Sequence, residues 1–257
     1  MESQLEIRNS FKLLVLGSML TLVLWFIPFA EVITYPIRLF VTFVHEAGHA
    51  LAALITLGGV RRIAIFWNGS GVTETIGGVG FLISSAGYLG TTLYGATLLL
   101  LLRRARFAKT AALGTGIMLL VMTLFFGGNL GAWATGLLVG GGCIALGLKA
   151  KPAVVHFLMS FLAVQSLLNA FYDLRTLMYL SAFQPSSSND AQNMAAATGG
   201  IIPAVIWAIG WSIISIVILA ATMLAYYRSI NRRKLAQEKI PFGFINEGSR
   251  SAADRHV

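Results

Sequence analysis

The sequence predicts an all-α polytopic membrane protein of about six to seven transmembrane helices, with a short β-hairpin between the second and third spans. Three observations point there. Of the 257 residues 56% are hydrophobic and only 11% charged, against about 25% charged in a soluble domain. The apolar residues fall in runs near the roughly 20 residues that cross a bilayer as a helix. The cations behind the net charge of +9 gather between those runs, with Arg103, Arg104, Arg106 and Lys109 in one cluster and Arg228, Arg232, Arg233 and Lys234 in another. Short basic loops of this kind follow the positive-inside rule. They argue against nucleic acid as a partner and for a multi-pass protein surrounded by membrane lipid.

The candidate spans are residues 11–30, 36–57, 80–102, 111–126, 130–148, 153–180 and 201–227. The apolar part of the first, Leu13 to Ala30, follows Glu2, Glu6, Arg8 and Lys12 and is long enough to span rather than to be a cleaved signal. Neither Glu2 nor the final Arg255-His256-Val257 carries a lipidation signal. The fourth run is short: it is either a tilted partner of the fifth or a re-entrant hairpin turning at Gly127-Gly128-Asn129. Gly131, Gly136, Gly140, Gly141 and Gly142 in the fifth are expected to let helices approach closely. Between the second and third runs, Ile63, Ile65 and Trp67 alternate with Ala64 and Phe66. Asn68-Gly69 gives a turn signal, and Val72, Thr73, Thr75 and Ile76 resume the strand. The edge of such a hairpin is expected to pair with an extended substrate, with the Ile65 N–H as a candidate donor. Residues 181–200 form a polar loop in which Ser188 or Asn189 caps a short helix. Residues 1–227 thus form one transmembrane domain and 228–257 a basic polar tail. A lone cysteine, Cys143, excludes an intramolecular disulfide and any cysteine-based metal cluster.

Inside the second run stands His45-Glu46-Ala47-Gly48-His49. Histidines four apart on a helix project from one face, where two imidazoles can bind one zinc ion. Glu46 stands where a carboxylate can take a proton from a water that the metal polarises. Ionisable groups are costly in a lipid-spanning segment and mark a functional site. A hydrolytic zinc keeps three protein ligands, so a third is required. Glu31 and Glu74 lie outside the apolar runs, and His156 stands near the start of one. Asp173 and Asp190 remain. Asp173 lies within a span with Asn169 four residues earlier on the same face, a carboxylate ligand beside an amide that orients it or binds substrate. Asp173 is the expected ligand, being an intramembrane carboxylate that Arg175, two residues on, does not readily meet. Asp190, in a loop that water reaches, is the alternative.

The chain resembles the site-2 protease class of intramembrane zinc metalloproteases, in its compact B-like branch. The resemblance rests on F-V-H-E-A-G-H-A-L-A-A (43–53), the hairpin that follows, S-S-A-G-Y-L-G (84–90), N-A-F-Y-D-L-R (169–175) and N-D-A-Q-N-M-A (189–195). It implies zinc bound by His45 and His49, Glu46 as base, and an aspartate from later in the chain. The better-known members carry that aspartate in an L-D-G motif, which this chain lacks. Straight helices also disagree with Asp173. From Pro36 to His45 is about 13 Å of rise and from Pro152 to Asp173 about 32 Å. If both prolines lie on one side of the membrane, the ligands differ by about 19 Å in depth.

The expected activity is hydrolysis of peptide bonds in membrane-embedded or membrane-proximal substrates. The competing readings are a zinc-dependent membrane lipid hydrolase, a non-catalytic membrane scaffold, and a transporter using intramembrane His and Asp. The H-E-x-x-H geometry favours the protease, because it includes a base that transport would not need.

Overall fold

In the computed structural model, residues 30–184 and 189–238 are described, together with Leu16, Met19 and Val23. The expected first span, 11–30, otherwise lies outside the described residues. The chain is mostly helical. Its order is α1 (Ala30–Ile55), β1 (Gly59–Ile65), β2 (Gly71–Ile76), α2 (Gly80–Leu102), α3 (Ala108–Phe126), α4 (Leu130–Thr135), α5 (Gly141–Lys149), α6 (Pro152–Phe183), α7 (Asp190–Ala197) and α8 (Ala204–Glu238). A π-helical turn, Gly136–Gly140, joins α4 to α5. Among the described residues six helices are long and apolar enough to cross a membrane, α4 and α5 counting as one. Large apolar side chains point outward along α3 and α8, including Ile117, Leu124, Phe125, Ile213 and Val217. A water-facing surface would not carry such stripes; this is an integral, multi-pass membrane protein.

Several boundaries depart from the sequence expectation. Pro36 lies inside α1 rather than opening it, because a single lost N–H is tolerable in a membrane helix with neighbours to satisfy the freed carbonyl. At 32 residues, α6 is about 48 Å long and exceeds the roughly 30 Å hydrocarbon core. The final helix, α8, continues past Tyr227 to Glu238, so the first part of the polar tail is helical. The short fourth run is a full helix, α3, packed against α4 and α5, and not a re-entrant turn. Glycine makes that packing possible: a Cβ on Gly116 would stand 2.6 Å from the Gly140 carbonyl oxygen, and one on Gly136 would collide with the Thr123 hydroxyl.

The hairpin is antiparallel, with Gly59 opposite Ile76, Ile63 opposite Thr73 and Ile65 opposite Gly71. Its turn is closed by Phe66 N–H donating to Ser70 O (2.8 Å) and by Gly69 N–H donating to Phe66 O (2.9 Å). Gly69 has φ +86°, where a side chain is strained. The hairpin lies back along α1. At its base Gly58 N–H donates to Ala53 O (2.8 Å). Midway, Thr73 reaches Glu46. At its turn Thr42 donates to Gly69 O (2.8 Å) and Tyr35 donates to Trp67 O. The outer edge of β1 is occupied. Gly128 N–H donates to Ile63 O (2.8 Å), while the Asn129 side-chain amide both accepts from Ile65 N–H (3.1 Å) and donates to Ile65 O (2.9 Å). The Ile65 donor expected to face substrate is therefore bound to the α3–α4 connection. Among the described residues, the strand of this two-stranded sheet whose outer edge is unpaired is β2.

Three apolar clusters hold the bundle. Phe40, Phe43, Val44 and Ala47 of α1 pack on Ile63, Ile65, Leu119 and Met122. Leu98, Leu99 and Leu102 pack on Ala108, Val155 and Met159. Leu174 and Leu177 of α6 pack with Ala191 and Met194 of α7 and with Ala204, Ala208 and Trp211 of α8. The last cluster folds the otherwise polar connector back onto the bundle.

Candidate metal centre

On α1, His45 and His49 share a face, as the helical period requires. Gly48, between them, lets α2 approach: a Cβ there would collide with the Ala86 carbonyl oxygen. Gly87 of α2 then faces both imidazoles, and a Cβ on it would collide with His45 Nε2 and stand 2.5 Å from His49 Nε2. The absence of a side chain at Gly87 leaves the space beside both nitrogens open. His49 is buried, and its Nδ1 lies 2.6 Å from Ile83 O. A carbonyl can only accept, so Nδ1 carries the proton and Nε2 presents its lone pair to the cleft.

Asp190 completes the group. Its Oδ2 is 3.3 Å from His45 Nε2 and 3.3 Å from His49 Nε2, and the two Nε2 atoms are 3.0 Å apart. The side-chain oxygen of Asn189 caps α7, accepting from Gln192 N–H (3.0 Å). This sets Asp190 in the first turn, where the helix dipole favours an anion. Ligand atoms about 2.0–2.1 Å from one tetrahedral ion lie about 3.3 Å from one another. The observed spacings, with two nitrogens and one carboxylate oxygen as donors, fit such an ion.

Glu46 faces the hairpin and is only 5% exposed. The Thr73 hydroxyl lies 2.7 Å from Glu46 Oε2 and 2.9 Å from the Glu46 carbonyl oxygen, sharing its one proton between them. Gly71 makes room, since a Cβ there would stand 2.6 Å from Oε1. The base candidate is thus held by the strand whose edge is free.

Asp173 is not in the group of three. It sits on α6 within electrostatic reach of His45 and Arg38, partly buried, and makes no ion pair with Arg175. The structure brings the alternative, Asp190, to the histidines instead. Its loop looked solvent-reached because only packing, through Ala191 and Met194, draws α7 back under α6 and α8. The carboxylate then arrives from a connector and not from deep in α6, which removes the depth conflict. Asn169 is partly buried on α6, its amide donating to Gln165 O (2.9 Å). Thr73 and Asn129, which hold the carboxylate and the strand, went unrecognised as site residues; both are short polar residues in turn-rich segments, with no signal of their own.

A family model described as Peptidase M50B-like matches residues 13–222. The chain belongs to the Peptidase M50B-like family. The match includes every residue of the cluster, the hairpin and Glu46, and bears out the resemblance to site-2 proteases. Membership makes this a peptidase-like membrane protein with a His-His-Asp group able to hold a metal. Neither the curated proteins nor the solved structures gave a match.

Proposed function

We propose that the protein is an intramembrane zinc metalloprotease that hydrolyses peptide bonds in membrane-embedded or membrane-proximal segments. The observation that carries this reading is the convergence of His45, His49 and Asp190 within 4.8 Å of one another, next to a buried carboxylate with no part in the cluster. The two imidazoles and the Asp190 carboxylate are the ligands, in place of the Asp173 set expected first. When bound, zinc would polarise the scissile carbonyl and make water acidic enough to attack near neutral pH. Glu46 takes the water proton and delivers it to the leaving amine. Thr73 fixes the Glu46 oxygen that does so, and burial keeps competing water away from it.

A helical substrate hides its carbonyls in its own hydrogen bonds, so the scissile stretch must be extended. The free edge of β2, beside Glu46, offers backbone partners to such a stretch. Asn169, whose side-chain oxygen accepts no hydrogen bond among the described residues, is the proposed polar contact to substrate. The substrate class is therefore a membrane protein or peptide able to unwind locally.

Metal analysis and cleavage by the purified chain test this. His45→Ala with His49→Ala should abolish both stoichiometric zinc and cleavage, since two of three ligands are gone. Glu46→Gln should keep zinc and lose cleavage. Full zinc content in the double variant, or native cleavage by Glu46→Gln, would refute the proposal.

A further inference from the structure

Tyr88 follows Gly87 on α2 and stands against the cluster. Its ring meets His45 edge to face, with centroids 4.6 Å apart at 86°. Trp211 of α8 stacks on the Tyr88 ring at 5.7 Å and 20°. The Trp211 indole N–H donates to Ser85 Oγ (3.0 Å), one turn before Tyr88 on the same helix. The phenol ring is thus clamped between a candidate ligand and an indole that is itself pinned, which leaves its hydroxyl little freedom.

That hydroxyl makes no hydrogen bond among the described residues, yet it lies within electrostatic reach of Asp190, Asp173 and Glu46. With the ring packed on His45, this places Tyr88 beside both the cluster and the base. Thr73, His49 Nδ1 and one N–H of Asn169 are already committed, to Glu46, Ile83 O and Gln165 O. Attack of water on a peptide carbonyl places negative charge on its oxygen, and a preorganised donor aimed there is among the largest single contributions to rate.

We propose that Tyr88 is a further catalytic residue, whose hydroxyl donates a hydrogen bond to the oxyanion that develops on the scissile carbonyl. The phenol keeps its proton throughout; the proton that moves is the one Glu46 carries from water to the amine. This inference rests on the metalloprotease reading above.

The test uses the full chain in detergent, as wild type, Tyr88→Phe and Tyr88→Leu, with zinc analysis, cleavage of fluorescein-labelled casein, and binding of a phosphinic peptide whose tetrahedral oxygen mimics the oxyanion. Tyr88→Phe should retain zinc and the wild-type rate of metal removal by 1,10-phenanthroline. Its kcat should fall about 10²–10³-fold with KM little changed, and phosphinic-peptide affinity should fall by a similar factor. Tyr88→Leu, which also removes the ring, should be no better. Wild-type kcat and phosphinic-peptide affinity in Tyr88→Phe would overturn the proposal, all the more so if only Tyr88→Leu were impaired, since the ring alone would then matter. Zinc loss in Tyr88→Phe would equally overturn it, in favour of ligand support. A wild-type chain without zinc would overturn the metalloprotease reading and this inference together, whereas zinc-loaded, active wild type with an unimpaired Tyr88→Phe overturns this inference alone.

Discussion

The cluster has two halves that are built by opposite means. On α1 the geometry is local: a helix with residues four apart places His45 and His49 side by side whatever the rest of the chain does. On α7 it is global. This helix has eight residues, too few to be stable alone in water, and it holds Asp190 in place through Ala191 and Met194 packed against the rest of the bundle, on α6, α8 and Tyr88 and Leu89 of α2. The contrast teaches that one candidate metal site can combine a histidine pair readable from spacing with a carboxylate that reaches them only once the bundle has closed. It also implies that damage to the two halves should look different.

Charge removal at the α7 half should have the largest effect that separates the two aspartates. Asp190→Asn keeps the shape and loses the anion, so zinc affinity should fall by more than the roughly 10–100-fold typical of outer-shell changes. Asp173→Asn removes a charge that acts on His45 at longer range. Two charges about 10 Å apart at an effective dielectric near 20 interact by about 1.7 kcal/mol, so its effect should stay near tenfold. Zinc titration of both variants decides the matter, and the reverse order would return the ligand role to Asp173.

A mutation that never touches the metal should sharpen the same contrast. Met194→Ala opens a cavity under α7, at a cost of about 2–5 kcal/mol for a buried methionine. Zinc affinity should then drop about 10–100-fold, as for a lost outer-shell partner, while α1 keeps its helix. An equal cavity on the α1 side at Met122, under Ile63 and Ile65, should lower thermal stability with less change in zinc affinity. Equal zinc losses in the two variants would show that the halves are not built differently after all.

What could be read from the sequence follows that division. The six described spans, the hairpin and the His45-Glu46-His49 face depend on run length, alternation and helical period, all short-range properties. The position of Asp190 beside the histidines is not legible locally, because local polarity, three serines and Asn189 describe a loop; the folding-back of that loop depends on Met194 meeting Ala204 and Trp211 of α8. Likewise Ile65 was assigned a free N–H because a strand alone does not say which edge is taken. Asn129, 64 residues away, takes it. The aspartate that is costly in an apolar run, Asp173, does stand within electrostatic reach of His45, so the reasoning on membrane cost leads to the neighbourhood of the cluster.

The hairpin gives the smallest expected effect and the finest test, because it contributes orientation and no ligand. Thr73→Val replaces a hydroxyl by a methyl of similar size and removes the bond to Glu46 Oε2. The bond is to a charged group, worth about 1.5–3 kcal/mol, but Glu46 keeps its place on α1 and its packing under the hairpin, so only part of that should reach the barrier. About 1.4 kcal/mol is tenfold in rate, and a fall in kcat of about that size is expected, with zinc content unchanged. Thr42→Val, which loosens the hairpin turn at Gly69 instead, should raise KM with less effect on kcat, since it disturbs the strand edge and not the base. Steady-state kinetics on the two variants separates the roles. If Thr73→Val changed KM alone, the hairpin would be holding substrate only, and Glu46 would owe its position to α1, the half of the site that spacing already determines.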